Sequence, residues 1–157
     1  MKVGQGFDAH RLVEGAKLVL GGVKIDHPRG LEGHSDADVL VHAVIDALLG
    51  ATGLGDIGMH FPDTDPAYKG ISSIEMLKTI CTAVGELGLR VTNIDATIIA
   101  QEPKMGSHRP EMVGNLALAA GIEPDRVNVK ATTTEGMGFT GRGEGIAALA
   151  VVVLDKA

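Results

Sequence analysis

Three residues in the first third of the chain have the side chains and spacing of a divalent-metal site. Asp8 and His10 lie two residues apart in a segment with the pattern of a β-strand, so both side chains are expected on one face. His42 lies in a strongly apolar segment with a helical pattern. Zinc accepts one carboxylate and two imidazoles while its fourth position stays open for water or substrate. The sequence therefore indicates an open metal site, although spacing alone does not join His42 to the other two.

The neighbours of these residues leave two interpretations open. Asp38 and Asp46 lie four residues before and after His42, on the same helical face. Because a buried imidazole without a partner is costly, His42 is either a core histidine paired with an aspartate or a metal ligand oriented by one. Gly4 and Gly6 share the face of the Asp-x-His pair, and we expect them to leave room for a bulky substrate.

The start of the His42 helix is a candidate anion site. The helix is predicted over residues 36–49, with Ser35 as its N-cap and Asp38 completing a capping pair. A helix N-terminus presents free backbone N–H groups and a positive dipole end, which both attract anions. His34 could donate a hydrogen bond to a phosphate oxygen there, roughly 12 Å from His42 by helical rise. One helix would then carry both a metal ligand and a phosphate contact.

Three connecting segments carry polar residues suited to a substrate. Residues 53–70 are rich in Gly, Asp and Pro and are predicted as a long loop, which is typical of a lid or binding loop. Within it, residues 63–65 are either turn residues or partners of sugar hydroxyls. Residues 100–106 connect a strand to a helix. Residues 132–135 place three hydroxyls and a carboxylate at a strand end, which suits phosphate and a second cation, although β-branched residues are expected in strands anyway.

The segment at 136–141 matches the G-x-G-x-x-G pattern of dinucleotide-binding loops. In those proteins the pattern opens a helix, whereas here more glycines and then an apolar β-branched run follow. We therefore predict a hinge or tight loop. The chain contains no Walker A, nucleophile-elbow or HExxH motif.

Composition restricts the class of protein. The 157 residues are 45% hydrophobic but only 3% aromatic, so an aliphatic core is expected in one domain spanning residues 1–157. No apolar run approaches the roughly eighteen residues of a membrane span. The formal charge of -6 and the lack of a basic cluster argue against nucleic-acid binding.

The patterned N-terminus is expected to leave no room for a targeting peptide. The single cysteine, Cys81, is expected in the core, and together these features favour the cytoplasm.

Hydrophobic periodicity predicts the elements that must position these residues. Strands are predicted over residues 3–12, 17–25, 91–101, 127–133 and 146–154, and helices over residues 36–49, 72–87 and 107–120. The last strand is apolar on both faces and is expected to be buried on both. The predicted fold class is α+β, an α/β sandwich: a single domain with a mixed sheet of four to five strands and three main helices packed on one face.

Seven short motifs follow one another along almost the whole chain. They are GFDAH at 6–10, HSDAD at 34–38, His42, DIG at 56–58, FPDTD at 61–65, NVKATTTE at 128–135 and FTGRGEG at 139–145. In this combination the chain resembles the 2-C-methyl-D-erythritol 2,4-cyclodiphosphate synthases, the cyclising enzymes of non-mevalonate isoprenoid biosynthesis. It departs from the family pattern at Ala37, where glycine is common, and at residues 105–107, which bears on contacts to the nucleobase.

The resemblance implies a role for each motif. Asp8, His10 and His42 would bind Zn²⁺ or another divalent metal, and Glu135 would help hold Mg²⁺ or Mn²⁺ on the substrate diphosphate. His34, Ser35 and Thr133 would be catalytic, stabilising phosphoryl oxygens. The sugar end of the substrate would be bound by Asp56, Ile57, Gly58, Phe61, Pro62, Asp63, Thr64 and Asp65. The cytidine end would be bound by Ala100, Gln101, Glu102, Pro103, Lys104, Met105, Gly106 and Thr132, with Thr134 as a further contact.

The resemblance also implies an assembly and a reaction. Family members are homotrimers with active sites between subunits, and Phe139 and Arg142 would line a central cavity linked to isoprenoid diphosphates. The implied lyase converts 4-diphosphocytidyl-2-C-methyl-D-erythritol 2-phosphate into 2-C-methyl-D-erythritol 2,4-cyclodiphosphate and CMP. The substrate's own phosphate attacks, which fits the lack of a nucleophile motif. Two alternatives remain open: a zinc-dependent phosphohydrolase and a non-catalytic trimeric protein that binds isoprenoid diphosphates.

Overall fold

A computed structural model describes all residues from Met1 to Ala157. Its strands are β1 (Lys2–Glu14), β2 (Leu18–Leu20), β3 (Val23–Ile25), β4 (Arg29–Leu31), β5 (Leu89–Ile99), β6 (Val127–Thr132) and β7 (Gly145–Lys156). Five of them form a sheet in the order β4-β1-β7-β5-β6, and β2 and β3 form a separate hairpin. Only the β5–β6 pair is parallel, so the sheet is mixed as predicted.

Three long helices pack on one face of this sheet: α1 (Val39–Thr52), α3 (Ser73–Glu86) and α4 (Arg109–Ala120). Single-turn helices α2 (Ile57–His60) and α5 (Gly138–Gly141) and 3₁₀ turns at Pro66–Tyr68 and Pro124–Arg126 lie in the connections. Sheet side chains that face the helices, such as Ile94, Ile98 and Ile146, are fully buried. The predicted arrangement of three main helices on one face is therefore confirmed. No helix is both long enough and apolar enough to cross a membrane.

The other face of the sheet carries apolar side chains that no part of this chain covers. Val3 and Phe7 of β1 are 59% and 53% exposed, and Val151 of β7 is 41% exposed. The antiparallel register pairs Val3 with Val153 and Phe7 with Leu149, so these residues form one continuous patch. The expectation that the last strand is buried on both faces is thus wrong for the single chain, because one of its apolar faces is left open.

Two predicted segments are interrupted by local turns. Gly21 and Gly22 have φ values of 57° and 72°, a left-handed conformation that reverses the chain and splits the predicted strand at 17–25 into the β2–β3 hairpin. The predicted loop at 53–70 contains α2 and a 3₁₀ turn, and the glycine-rich loop contains α5. Cys81 is partly buried in α3, and burial raises the pKa of its thiol to about 12, so it is an inert packing residue.

The first turn of α1 differs from the prediction. The helix begins at Val39, and its N-cap is Asp38 rather than Ser35. The Asp38 carboxylate is fully buried; it accepts the N–H of Val41 at 3.1 Å and the N–H groups of the two hairpin glycines at 2.9 and 2.7 Å. A carboxylate therefore already occupies the positive end of this helix. The predicted N-cap is therefore wrong, and Asp38 rather than a ligand satisfies the first free N–H groups of α1; the contact of His34 and Ser35 with phosphate stays a prediction.

The backbone of α1 lies directly against β1. A Cβ atom at Gly4 would lie 1.9 Å from the carbonyl oxygen of Ala47, and one at Gly6 would lie 2.0 Å from that of Ala43. These glycines therefore admit the helix, and the expectation that they leave room for a substrate is wrong. The close approach brings His42 of α1 against the Asp-x-His pair of β1.

Candidate metal centre and active site

Asp8, His10 and His42 meet at one point between β1 and α1. Asp8 Oδ2 lies 2.9 Å from His10 Nε2 and 3.1 Å from His42 Nδ1, and the two nitrogens are 3.2 Å apart. With bonds of about 2.0–2.1 Å, the ligands of a tetrahedral zinc ion are roughly 3.3 Å apart. The donor atoms already have nearly the separation that one divalent ion requires. The structure thus places His42 beside Asp8 and His10, which the spacing in the sequence could not establish.

Each imidazole makes a second hydrogen bond on its other nitrogen. His10 Nδ1 lies 2.7 Å from the carbonyl oxygen of Glu32. A carbonyl only accepts, so Nδ1 carries the proton and Nε2 presents a lone pair to the centre. His42 Nε2 faces the hydroxyls of Ser73 and Ser35 at 2.8 and 3.1 Å, which leaves Nδ1 facing Asp8. This donor set fits a divalent metal.

The electrostatics of the centre follow from the same contacts. Burial raises the pKa of Asp8, but the contacts of its carboxylate with His10 and His42 outweigh burial and hold that pKa well below its ordinary range. Burial lowers the pKa of His10, but the Asp8 carboxylate outweighs it and raises the net pKa above its ordinary value. Asp8 is therefore ionised at neutral pH, and a proton on His10 competes with a cation for the site.

The affinity of this site for a divalent cation is expected to fall on acidification because the cation must displace that proton. Protonation favours the metal-free form, so a lower pH weakens binding. The raised pKa of His10 places the onset above the ordinary histidine pKa of about 6.5, and the apparent affinity falls about tenfold per pH unit below the onset. Competition against a chromophoric chelator from about pH 5.5 to 8.5 measures this. A constant affinity across that range would exclude His10 as a ligand.

A cavity of about 450 Å³ opens on the three ligands. Predicted residues in its wall are His34, Ser35, Ile57, Gly58, Phe61, Pro62 and Asp63. His34 Nε2 donates to the carbonyl of Asp65 at 2.9 Å and so ties the long loop to the cavity. Tyr68, which sequence reasoning missed, also lines the cavity and packs edge-on against Phe61, with ring centroids 5.3 Å apart. Gly33 and Met76, which were also missed, complete the wall.

The other predicted residues of this loop lie at its turns. Asp56 caps α2 by accepting the N–H of Met59, and Asp65 caps a 3₁₀ turn by accepting the N–H of Ala67. Thr64 is exposed. None of these three predicted residues lines the metal cavity, and the two aspartates cap turns of the loop.

A second cluster joins the loops at 100–106 and 132–136. The Ala100 N–H donates to the carbonyl of Thr132 at 3.0 Å, and the Gly136 N–H donates to Gln101 Oε1 at 3.3 Å. Glu102 binds Arg29 at 3.1 Å. None of these residues lines the metal cavity of the same chain. The predicted site residues therefore form two separate groups.

Within this second cluster the side chains differ in what they can offer. Ala100 and Met105 are buried, so only their backbone groups can reach a ligand, whereas Lys104 is exposed. Glu135 has a φ of 53° and accepts from the Thr133 hydroxyl at 3.3 Å. The hydroxyl of Thr134 bonds that of Thr140 at 2.9 Å. Thr133 and Glu135 are both exposed at this turn, where their side chains bond each other.

Phe139 and Arg142 lie in a third region that borders both clusters, since its lining includes His10 and Arg29, the partner of Glu102. They line a cavity of about 630 Å³ together with Arg11, Arg29 and Glu144. The Arg142 guanidinium forms two hydrogen bonds with Glu144, at 3.0 and 3.2 Å. This cavity holds three arginines beside an aromatic ring.

Sequence reasoning also missed the groups around His42. It offered Asp38 or Asp46 as the partner, but Asp38 caps α1 and Asp46 accepts the N–H of Ile57 at 3.3 Å. The contact comes instead from Ser73, which follows Ser72, the N-cap of α3, and is fully buried. No spacing rule links residue 73 to residue 42; only the packing of α3 on α1 does.

The chain is similar to known proteins over almost its whole length. A sequence model of the YgbB family matches residues 1–155. A relative from Geotalea uraniireducens named 2-C-methyl-D-erythritol 2,4-cyclodiphosphate synthase is 58% identical over 156 residues, which cover 99% of each chain. A solved structure of 2C-methyl-D-erythritol-2,4-cyclodiphosphate synthase in a CDP-bound form is 39% identical, with a TM-score of 0.90 over 98% of this chain and 100% of that one. The bifunctional IspDF of Campylobacter jejuni is 46% identical, with a TM-score of 0.95; the match covers 99% of this chain and 42% of that longer one.

Proposed function

Because the chain belongs to the YgbB family, whose relatives here are 2-C-methyl-D-erythritol 2,4-cyclodiphosphate synthases, we propose that its two clusters are the halves of that active site. The enzyme is a lyase that converts 4-diphosphocytidyl-2-C-methyl-D-erythritol 2-phosphate into the 2,4-cyclodiphosphate and CMP. The observation that carries our assignment of the site is the convergence of Asp8, His10 and His42 on one point of a substrate-sized cavity.

We assign Zn²⁺ to these three residues because a carboxylate and two imidazoles match its donor preference. When bound, the ion would neutralise and align phosphate oxygens of the substrate. Ser35 Oγ accepts the N–H of Ala37 at 3.1 Å, which fixes its oxygen at the cavity wall and leaves its own proton for a phosphate oxygen. His34 stands beside it and holds the loop that covers the sugar end.

The reaction needs no nucleophile from the protein. The attacking group is the 2-phosphate of the substrate, which is largely a dianion near neutral pH because its second pKa is about 6. One of its oxygens forms a bond to the β-phosphorus, and the bond from that phosphorus to the departing CMP oxygen breaks. Catalysis is then positioning and charge neutralisation. Because the chain itself has a formal charge of -6, metal cations at the active site would offset the repulsion between the two phosphate groups of the substrate.

We propose that a homotrimer completes each site with residues of a neighbouring subunit. Within one chain the metal cavity lacks residues 100–106 and 132–135, and the open sheet face around Phe7 and Val151 is an apolar surface suited to association. Thr133 and Glu135 of the second cluster would then meet the diphosphate and its Mg²⁺ or Mn²⁺. The arginine-rich cavity at Phe139 and Arg142 is our candidate for an isoprenoid diphosphate.

Subunit mixing tests this arrangement. Asp8→Ala and Glu135→Ala are each expected to be nearly inactive, because one damages the metal half and the other the diphosphate half. If the halves come from different subunits, trimers reassembled from an equal mixture recover about a quarter of the wild-type activity, since that share of sites draws both halves intact.

Each variant taken through unfolding and refolding alone is the control for this mixing. No recovery in an efficiently mixed sample would place the whole site within one chain and overturn the shared-site proposal.

We further propose one synthase domain over residues 1–157, working in the cytoplasm. The family match over residues 1–155 supports the first point, and the lone partly buried Cys81 suits the second. The phosphohydrolase and the non-catalytic binding protein fit the same metal geometry, but the full-length similarity to named synthases favours cyclisation over both.

A further inference from the structure

The His42 ring has two possible neutral forms, and only one can bind a metal at this centre. Its Nδ1 lies 3.1 Å from Asp8 Oδ2, and its Nε2 lies 2.8 Å from Ser73 Oγ. A proton on Nδ1 would be donated to Asp8 and would block the metal position. A proton on Nε2 leaves the Nδ1 lone pair facing the other ligands. The contacts of Nε2 therefore decide whether the centre is ready for a cation.

Those contacts have a defined direction. Ser73 is fully buried, and its hydroxyl donates a hydrogen bond to Asp36 Oδ1. The backbone N–H of Ser73 donates to Asp36 Oδ2 at 3.0 Å, and the N–H of Asp38 donates to Asp36 Oδ1 at 3.2 Å. A carboxylate only accepts, so the Ser73 proton points to Asp36. The remaining lone pairs of the Ser73 oxygen then face His42 as an acceptor.

We propose that Asp36 and Ser73 are positioning residues that hold His42 in the tautomer with its proton on Nε2 and a bare Nδ1 facing the metal. The chain runs from the Asp36 carboxylate through the Ser73 hydroxyl to the ring, and neither residue is a metal ligand. The inference rests on the proposed metal centre. It adds the two residues that orient the His42 ring toward the metal. Carboxylates behind a ligating histidine orient the ring and raise its basicity.

The neighbouring serine provides a matched control. Ser72 is exposed and makes no hydrogen bond through its side chain at the start of α3. Removing the hydroxyl of Ser73 leaves His42 Nε2 with Ser35 alone, at 3.1 Å, and Ser35 already receives the N–H of Ala37. We therefore expect a partial loss of zinc affinity in Ser73→Ala, about 10- to 100-fold, and none in Ser72→Ala.

The test combines ring nitrogen NMR of the metal-free protein with zinc competition. In ¹⁵N-histidine protein at about pH 8, where the ordinary histidine ring is neutral, wild-type His42 is expected to show a protonated Nε2. Ser73→Ala and Asp36→Asn shift it toward a protonated Nδ1 and bind zinc more weakly. Thermal unfolding of the metal-free variants detects any general loss of fold. If Ser73→Ala does not fold, Ser73→Cys replaces it, because a thiol is a poor hydrogen-bond acceptor. The His42 tautomer and the zinc affinity are then measured on that variant.

Two results separate the possible failures. If wild type and Ser73→Ala share one tautomer and one zinc affinity, Ser73 does not position His42 and the inference is overturned. If wild type binds no zinc, the metal centre itself is wrong; the NMR comparison still decides whether Ser73 controls the tautomer.

Discussion

Asp8→Ala is expected to lose its bound zinc and to release CMP at least about 100-fold more slowly than wild type, while keeping its fold. Asp8 Oδ2 lies within 3.1 Å of both ligand nitrogens and supplies the only negative charge among the three donors. Its removal leaves two imidazoles, which are too few for a stable zinc site. Because the side chain is only half-buried, the loss opens little cavity. His42→Ala should give the same loss of metal and activity.

Metal content by atomic emission and CMP formation by chromatography measure these effects on purified protein. Asp125→Ala is the matched control, since Asp125 is exposed and makes only a 3.9 Å contact with Arg126. Asp125→Ala should keep both the zinc and the activity. An Asp8→Ala protein that turns over at the wild-type rate without zinc would remove the metal centre from the mechanism.

Gly6→Ala is expected to destabilise the protein by at least about 3 kcal/mol, the upper part of the range for overpacking. The added Cβ would lie 2.0 Å from the Ala43 carbonyl oxygen and 2.6 Å from the Ala47 nitrogen. Both are backbone atoms of α1, so relief requires the whole helix to move. Since α1 carries His42, the zinc affinity should fall together with the free energy of unfolding.

Gly85→Ala is the control for that substitution. Gly85 lies in α3, and no atom would come within 4 Å of its added Cβ, so helix propensity should stabilise this variant by about 0.5–1 kcal/mol. Urea unfolding gives both values. A Gly6→Ala protein as stable as wild type would show that α1 does not pack on β1 as described.

The ligand pair on β1 was predictable because it depends on a local rule. Strand alternation places Asp8 and His10 on one face whatever the rest of the chain does. His42 was not predictable in the same way, because its distance from β1 depends on how closely a helix can approach. The reason for that approach was visible at Gly4 and Gly6, but glycine can mean either space for a ligand or contact with a backbone. Only the packing distinguishes the two.

The start of α1 shows a second limit of sequence reasoning. Ser35 and Asp38 are both good cap residues, and the choice between them is made by the β2–β3 hairpin, whose N–H groups also need the Asp38 carboxylate. Ala37 in between has a φ of 56°, which ends any helix there and explains why glycine suits that position. A long-range contact thus overrode the local pattern.

The last strand shows a third limit. Its apolar second face predicts burial within the fold, yet Val151 is exposed beside Phe7 and Leu149. A hydrophobic pattern indicates that a face is covered in the functional protein, but it does not identify the surface that covers it. Here the covering surface is, in our proposal, another copy of the chain.

The most direct test of the proposed cyclisation is whether oxygen from water enters the products. The wild-type enzyme is allowed to turn over in water enriched in ¹⁸O. The reaction with 4-diphosphocytidyl-2-C-methyl-D-erythritol 2-phosphate, zinc and Mg²⁺ is followed by ³¹P NMR, in which ¹⁸O displaces the resonance of its phosphorus. Intramolecular cyclisation should give equal amounts of CMP and a cyclic diphosphate, with no ¹⁸O in either. A linear phosphate product carrying ¹⁸O, or no turnover at all, would contradict it.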